Sequence, residues 1–473
     1  MRRARFRPKR KARALAAGLL LCLATASWAF PRAAFAGGPL GAQGTPIQTS
    51  NYTLDLFQGP VLASSRVTGM GGAYSALADG AEGIPFNAAA ASQRYPYSTT
   101  RTDWELTGGV TFPASVASTD FDNNGHTGFG YHDFVWATGG AFLQHDHWGF
   151  GGSVSLQNYS LGTPRQLGLD GSGVNDLTIR IFKVDAVVSY GFMDDQLHVG
   201  GGLRSAVFNA VDTSQGEKLL LGTYGIGAQG GVLWRPRHLP LRLGGTVRSP
   251  VIGTITSSPN VTRDPMTGDH VIGKFYLPSG VDLPWEAEWG VAFQLGPRPL
   301  NIQWADEDKL DDPEVEEERR TIPATSTVPA HLEPAYKAAR RILKRRYRAI
   351  PREKMLLSFS MLVTGPTEGA VGVESMLRQV IDRSGEKTSV TLRGGTEVEV
   401  VPNRLQLRAG SYMEPTRFRE STARLHATTG FELRLVDWSL FGIFPEDNAF
   451  RVSGAVDVSR EYFGWSLGLG SWF

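Results

Sequence analysis

The sequence predicts an all-β protein: a 14-stranded antiparallel transmembrane β-barrel with an N-terminal plug segment and one partly helical insertion. Three observations predict it. Past the extreme N-terminus no apolar run reaches the ~18 residues that a membrane helix needs. From Arg101 to Phe473, apolar and polar residues instead alternate with period two, as in strands with one apolar and one wet face. Glycine is abundant, 56 of 473 residues against a usual ~7%, and charges recur beside it on the polar faces, which suits a narrow lumen. A soluble β-sandwich would also alternate. The number of segments and an aromatic last residue on a strand favour the barrel.

Residues 1–36 read as a signal peptide. Eight basic side chains lie within residues 1–13, an apolar stretch runs from Ala14 to Phe30, and Ala34-Phe35-Ala36 offers a small-x-small cleavage site. Cys22 is the only cysteine; Leu21 before it does not suit a lipoprotein site. Cleavage would remove nine of 48 basic residues and no acidic ones, leaving 39 basic against 46 acidic, a net of −7. That balance argues against a nucleic-acid partner. It would also leave no cysteine for disulfide, thiol or metal chemistry.

Residues 37–100 follow as an N-terminal plug or hatch. Within them, residues 51–98 do not alternate, and they are rich in Gly and Ala, so they suit a lumen better than a lipid wall.

The barrel is expected over residues 101–473. Its strands run over about 101–112, 133–144, 148–160, 177–192, 197–212, 219–235, 240–254, 284–303, 354–364, 389–400, 404–416, 424–441, 449–459 and 463–473. In VTLRGGTEVEV, for example, Val390, Leu392, Val398 and Val400 oppose Thr391, Arg393, Glu397 and Glu399. An even count returns the chain to its starting side. Short connections (HDHW, MDDQ, RPRHLP, PNR, IFPEDN) alternate with longer ones at 113–132, 161–176, 255–283 and 365–388; the short ones belong to the periplasm and the long ones outside. In the strand at 177–192 the apolar parity switches between Ile181 and Phe182, which predicts a β-bulge there.

By the same parity the charged insertion 305–353 lies on the periplasmic side. Tyr336, Ala339, Leu343, Tyr347 and Ile350 stand at helical spacing among basic residues, so one cationic amphipathic helix is expected. It either leans on the barrel rim or meets anionic lipid head groups. Parity also points Arg180, Lys183, Asp185, Arg204, Arg242, Arg248, Arg393, Glu397, Glu399, Arg404, Arg408, Glu414, Arg451 and Asp457 into the lumen. They would form a mixed-charge network or receive a ligand's carboxylate, which a guanidinium suits.

The stretch SSRVTGMGGAYSALADGAEGIPFNAAAAS, Ser64 to Ser92, resembles the N-terminal signature of the FadL/TodX-type outer-membrane transporters, with PorV-like barrels as relatives. Arg66, Gly69, Met70, Gly71, Gly72, Ala73, Ala78, Asp79, Phe86 and Asn87 carry the match. LRLGGTVRSPV (241–251), LPWEAEWGVAF (283–293) and LQLRAGSYMEP (405–415) resemble later strands of that family. The sequence departs from the signature at Gly80, where a second Asp stands, and at Ala88–Ala91, where Pro-Ala-Gly-Leu stands. The resemblance implies a monomeric outer-membrane barrel of a Gram-negative-type bacterium that passively takes up small hydrophobic or amphipathic, fatty-acid-like molecules. It implies plug or gating roles for Arg66, Gly69, Met70, Gly71, Gly72, Asp79, Phe86 and Asn87. The PorV-like relatives imply the alternative: an anchor or adaptor for secreted or surface proteins, with a periplasmic or secreted protein partner.

No Gly-x-Ser-x-Gly, His-Glu-x-x-His or phosphate loop occurs, so neither an enzyme nor a cofactor is expected. Asp120, Asp122, Asn124 and Gly125 match the first half of a calcium loop, but Tyr131 stands where its bidentate Glu belongs. His145-Asp146-His147 lies in a tight turn without a third metal ligand nearby.

Overall fold

The computed structural model describes residues 40–94, 101–114, 119–127, 130–162, 176–213, 216–256, 261–304, 310–320, 334–351, 353–402, 404–419, 421–437 and 449–472. The signal-peptide reading and the IFPEDN turn lie outside these residues. Fourteen antiparallel strands form the wall. They are β1 (Thr102–Phe112), β2 (Gly130–His145), β3 (Trp148–Gly162), β4 (Asp176–Phe192), β5 (Leu197–Asp212) and β6 (Lys218–Trp234), then β7 in two segments (Leu241–Arg248, Val251–Thr256) and β8 in two (Gly280–Leu283, Glu286–Leu295). β9 (Met355–Thr364), β10 (Ser389–Val401), β11 (Leu405–Glu414), β12 (Arg424–Asp437), β13 (Ala449–Ser459) and β14 (Tyr462–Trp472) complete it. β14 pairs back onto β1, from Gly108↔Leu469 to Phe112↔Trp465, so the sheet closes. Closure leaves no edge of unpaired amides.

The alternation decides which face is which. Leu106, Phe150, Leu156, Leu203, Ile226, Trp289, Phe359, Leu392, Phe431 and Leu469 are large, apolar and exposed on the outside. Their neighbours in sequence turn inward and are largely polar, including Gln144, Arg204, Arg242, Glu288, Glu397, Arg408 and Glu432, all buried.

The expected bulge in β4 is absent. β4 pairs without a register shift on both sides, Gln157↔Ile181 and Leu156↔Phe182 with β3, Ile181↔Phe208 and Phe182↔Val207 with β5. The apolar face changes because the interior changes. Near the loop end Leu177, Ile179 and Ile181 point inward into an apolar cluster with Tyr159, Leu161 and Phe208. Arg180 consequently points out, half-exposed, and pairs with Glu217 at 3.1 Å, so it does not line the lumen. Arg404 is likewise exposed, in the turn before β11.

β7 and β8 each break at a proline, Pro250 and Pro284, which cannot donate to a ladder. Below the breaks they pair with each other from Glu286↔Arg248 to Phe293↔Leu241. Above, the segment 280–283 pairs with 251–256 and, in parallel, with Thr53–Asp55 of the N-terminal segment. Residues 53 and 54 pair in turn with Ala370 and Val371. The lumen residue Arg204 serves this break: its Nε donates to Ser249 O (3.1 Å), one Nη to Pro284 O (2.8 Å) and the other to Glu286 (3.0 Å). Guanidinium donors replace the ladder bonds that the prolines forfeit.

Among the described residues four α-helices complete the fold: α1 (Ser65–Gly69), α2 (Asp312–Arg320), α3 (Ala335–Ala349) and α4 (Val373–Arg378). α2 and α3 lie in the insertion. The sequence suggested only the second of them. Glu318 of α2 holds Arg341 (3.1 Å) and Arg345 (2.6 Å) of α3. Arg298, just past β8, donates to Tyr347 Oη at 2.8 Å and ties α3 to the turn end of the barrel. The connection 365–388 is no plain loop: Met376, Leu377 and Ile381 are buried in the apolar cluster with Leu40, Ile47, Tyr52 and Leu54.

Candidate functional site

The space inside the wall is occupied by residues 57–94. Small residues let this backbone lie directly on the strands. Gly71 has φ +62°, a left-handed conformation that favours glycine, and a Cβ there would meet Ser411 N at 2.8 Å and Gly394 O at 2.9 Å. The wall answers with its own glycines; a Cβ on Gly395 would stand 2.3 Å from Met70 O. Met70 itself is fully buried, Gly69 lies against Gly430 and Arg408, and Gly72 packs on Val61. The Gly71→Val variant is therefore expected to unseat the segment and leak small solutes in a liposome-swelling assay, while the barrel stays heat-modifiable on gels. A tight Gly71→Val barrel would mean that this contact does not seat the segment.

Asn87 begins the short turn 88–92. Its Oδ1 accepts from Ala89 N (3.0 Å), and its Nδ2 donates to Ser75 O (2.9 Å) and to Val232 O of the wall (3.0 Å). The side chain thus binds two parts of the segment to β6. Phe86 meets Tyr74 edge-on at 6.0 Å.

Charges form a continuous chain between segment and wall. Arg242 binds Asp79 at 2.7 Å, and Asp79 lies 3.5 Å from Arg66. Arg66 reaches Glu397 at 3.1 Å. Glu397, wholly buried, also takes Arg408 (2.8 Å) and Lys354 (3.0 Å). Arg408 continues to Glu432 (2.6 Å), Glu432 to Arg451 (3.0 Å), and Arg451 to Glu82 back on the segment. Elsewhere Arg248 donates to Pro85 O (2.6 Å), Arg393 stands 3.5 Å from Glu288 and from Gly72 O, and Glu399 takes Arg298 (3.0 Å). Asp457 accepts from Tyr412 (2.6 Å) and bonds His426 (2.8 Å), whose other nitrogen meets Glu414 at 2.6 Å. The sequence reading passed over Glu82, Glu432, Glu286 and His426, although strand parity alone turns Glu432 inward.

A cavity of about 210 Å³ lies between residues 57–64 and 81–86 and the wall. Phe57, Val61, Leu62, Phe86, Trp136 and Leu362 give it apolar sides; Lys183, Asp185, Arg204, Glu286 and Arg393 give it charged ones. A molecule with an apolar body and a polar end matches such a lining.

The calcium candidate does not assemble. Asp120 spends its oxygens on Asn124 N (3.0 Å) and Gly125 N (2.9 Å), and Asn124 Nδ2 donates to Glu374 (2.6 Å) and Asp122 (3.3 Å). An amide donor thus stands among the carboxylates where a cation would. Among the described residues no group of three or more His, Cys, Asp or Glu could hold a metal ion; His145 bonds Thr102 and His147 bonds Asp195 instead. Burial, with Asp120 nearby, raises Glu374 from its usual 4.5 to about 7, although bonds from Tyr131 and Asn124 oppose this. Burial and Glu374 hold Asp122 well above the usual range. A carboxyl raised on folding stabilises below its unfolded value and loses that contribution as pH climbs through its folded value. Residues 372–382 should therefore loosen between about pH 5 and pH 8, read as faster proteolysis at Arg378 relative to Glu374→Gln. Equal pH responses of the two chains would refute the assignment.

No family model matches the chain, and no protein of curated function matches it significantly. Among solved structures it is similar to a Pseudomonas aeruginosa FadL homologue (11% identity, 88% of this chain and 99% of that one, TM-score 0.47) and to the P. putida toluene transporter TodX (14%, 88% and 99%, 0.47). It is also similar to the CymD monoaromatic hydrocarbon channel (11%, 87% and 97%, 0.46).

Proposed function

We propose that the protein is an outer-membrane barrel that passes small hydrophobic or amphipathic molecules inward, with residues 57–94 as its plug. The observation that carries this reading is the cavity of about 210 Å³ between plug and wall, where apolar side chains stand beside charged ones. The exposed apolar belt supports a lipid surrounding, because alternating strands with apolar side chains outward suit a bilayer. The long connections face outside and the insertion with α2 and α3 faces the periplasm. No energy coupling is implied.

Uptake of a fluorescent fatty acid into liposomes bearing the purified protein tests the function. Saturable uptake that protein-free liposomes lack supports it. A closed barrel that takes up nothing and co-purifies with a secreted protein would replace it with the adaptor reading. Orientation has its own test, since Cys22 is the only cysteine. Met266, 93% exposed on the 257–279 connection, and Tyr336, half-exposed on α3, are replaced one at a time by cysteine. An impermeant maleimide on intact cells should label Met266→Cys and spare Tyr336→Cys; the reverse would invert the topology.

A further inference from the structure

A second cavity, of about 150 Å³, lies at the turn end of the barrel, below the plug. Cations dominate its lining, and all but one have a carboxylate. Arg66 has Glu397, Arg242 has Asp79, Arg94 has Asp103 (2.9 Å), Arg298 has Glu399, Lys354 has Glu397 and Arg451 has Glu432. The exception is Arg235, the first residue after β6.

Arg235 is only 7% exposed. Among the described residues no carboxylate stands within ion-pair reach of it, its Nε has no partner, and one Nη reaches Ile302 O at 3.5 Å. Burial and the neighbouring Arg242 push it down to about 9, which still leaves it charged at neutral pH. Two further buried donors without an acceptor, Gln303 Nε2 and Trp304 Nε1, follow Ile302 in sequence, outside the cavity lining. An uncompensated buried charge costs several kcal/mol, and an anion in contact offsets that cost. The lining carries seven cations, Arg66, Arg94, Arg235, Arg242, Arg298, Lys354 and Arg451, against three carboxylates, Asp79, Glu105 and Glu432, an excess that favours an anion. A guanidinium presents two parallel N–H groups, which match two oxygens of one oxyanion. A volume of about 150 Å³ gives room for a small oxyanion or one head group.

We propose that this cavity is an oxyanion-binding site anchored by Arg235, taking a carboxylate or a phosphate group. The inference stands apart from the transport reading, because a barrel serving as an adaptor would keep the same unpaired guanidinium. The anion can be a free ion or the head of an amphiphile, and the experiment separates them. The purified full chain in an uncharged detergent is titrated calorimetrically at neutral pH with inorganic phosphate, with decanoate and with decanol. Saturable binding of at least one anion and none of decanol is expected. Phosphate alone identifies a free-ion site; decanoate alone identifies a head-group site. Arg235→Met should weaken that binding about tenfold or more, while Arg235→Lys keeps part of it. Arg235→Met should also raise the apparent Tm without anion and abolish the further rise that the anion gives the parent. That readout shows the variant folded and links binding to the unpaired charge. Absence of saturable binding by either anion, or unchanged affinity in Arg235→Met, overturns the proposal.

Discussion

Glu397→Ala is expected to destabilise the filled barrel by about 3–5 kcal/mol, the cost of breaking a buried ion pair from one side. Three cations meet at this one carboxylate: Arg66 of the segment 57–94 at 3.1 Å, Arg408 of β11 at 2.8 Å and Lys354 beside β9 at 3.0 Å. Arg408 and Glu397 are both wholly buried, so water cannot replace the lost charge cheaply. Denaturant unfolding in micelles, followed by heat-modifiable migration, reads the loss. Glu399→Ala is the comparison, since Glu399 pairs with Arg298 at 3.0 Å, outside the Arg66–Glu397–Arg408 chain, and should cost less. Adding Arg66→Ala to Glu397→Ala should recover part of the loss, because groups in one network do not add. A loss below about 1 kcal/mol, the range of exposed pairs, would show that water already fills the network.

Strand positions were legible in the sequence because the lipid-type face and the inner face differ in polarity at every second residue. The 389–400 alternation gives β10 almost to the residue, Ser389–Val401. The reading failed where that polarity contrast fails. In β4, Leu177, Ile179 and Ile181 are apolar and inward, because the loop end is filled by Tyr52, Leu54 and α4 rather than by water. A bulge was then the wrong inference from a correct pattern. β8 is expected over 284–303 but occupies 280–283 and 286–295; after Gly296 the sequence still alternates, Leu300 and Ile302 against Asn301 and Gln303, yet Pro297 and Pro299 cannot join a ladder. For the inner charges, strand parity narrows the partner of Arg66 to the lumen carboxylates Glu397, Glu399 and Asp457 but does not choose among them. Arg66 and Glu397 are 331 residues apart, and only the closed wall brings them together. Arg235 sits in what reads as a tight polar turn, and nothing local shows that the segment 300–304 buries it.

Deleting residues 51–92 is expected to leave a folded, heat-modifiable barrel with a large rise in permeability to small solutes, measured by liposome swelling. The fourteen wall strands close without these residues, since β1 begins at Thr102 and pairs with β14, although the deletion does remove the parallel pairing of Thr53–Asp55 with Gly280–Asp282. The deletion removes the backbone that now lies on the wall glycines, Ser75 O beside Gly244, Ala88 O beside Gly200 and Ala91 O beside Gly149. It also removes Arg66, Asp79 and Glu82 from the charge chain, leaving the wall's Arg242, Glu397, Arg408, Glu432 and Arg451 facing the vacated space. Water entering that space would hydrate them, and a hydrated pair contributes little to stability. Glu397→Ala made in the deleted barrel should therefore cost under about 1 kcal/mol, against about 3–5 kcal/mol expected with residues 51–92 in place. The two measurements check each other. If permeability rises but the Glu397→Ala cost stays high, the wall charges remain dry and the solutes pass elsewhere. If permeability does not rise, the apolar cluster of Phe208, Met376 and Leu377 at the loop end closes the barrel by itself, and the segment 57–94 is not its plug.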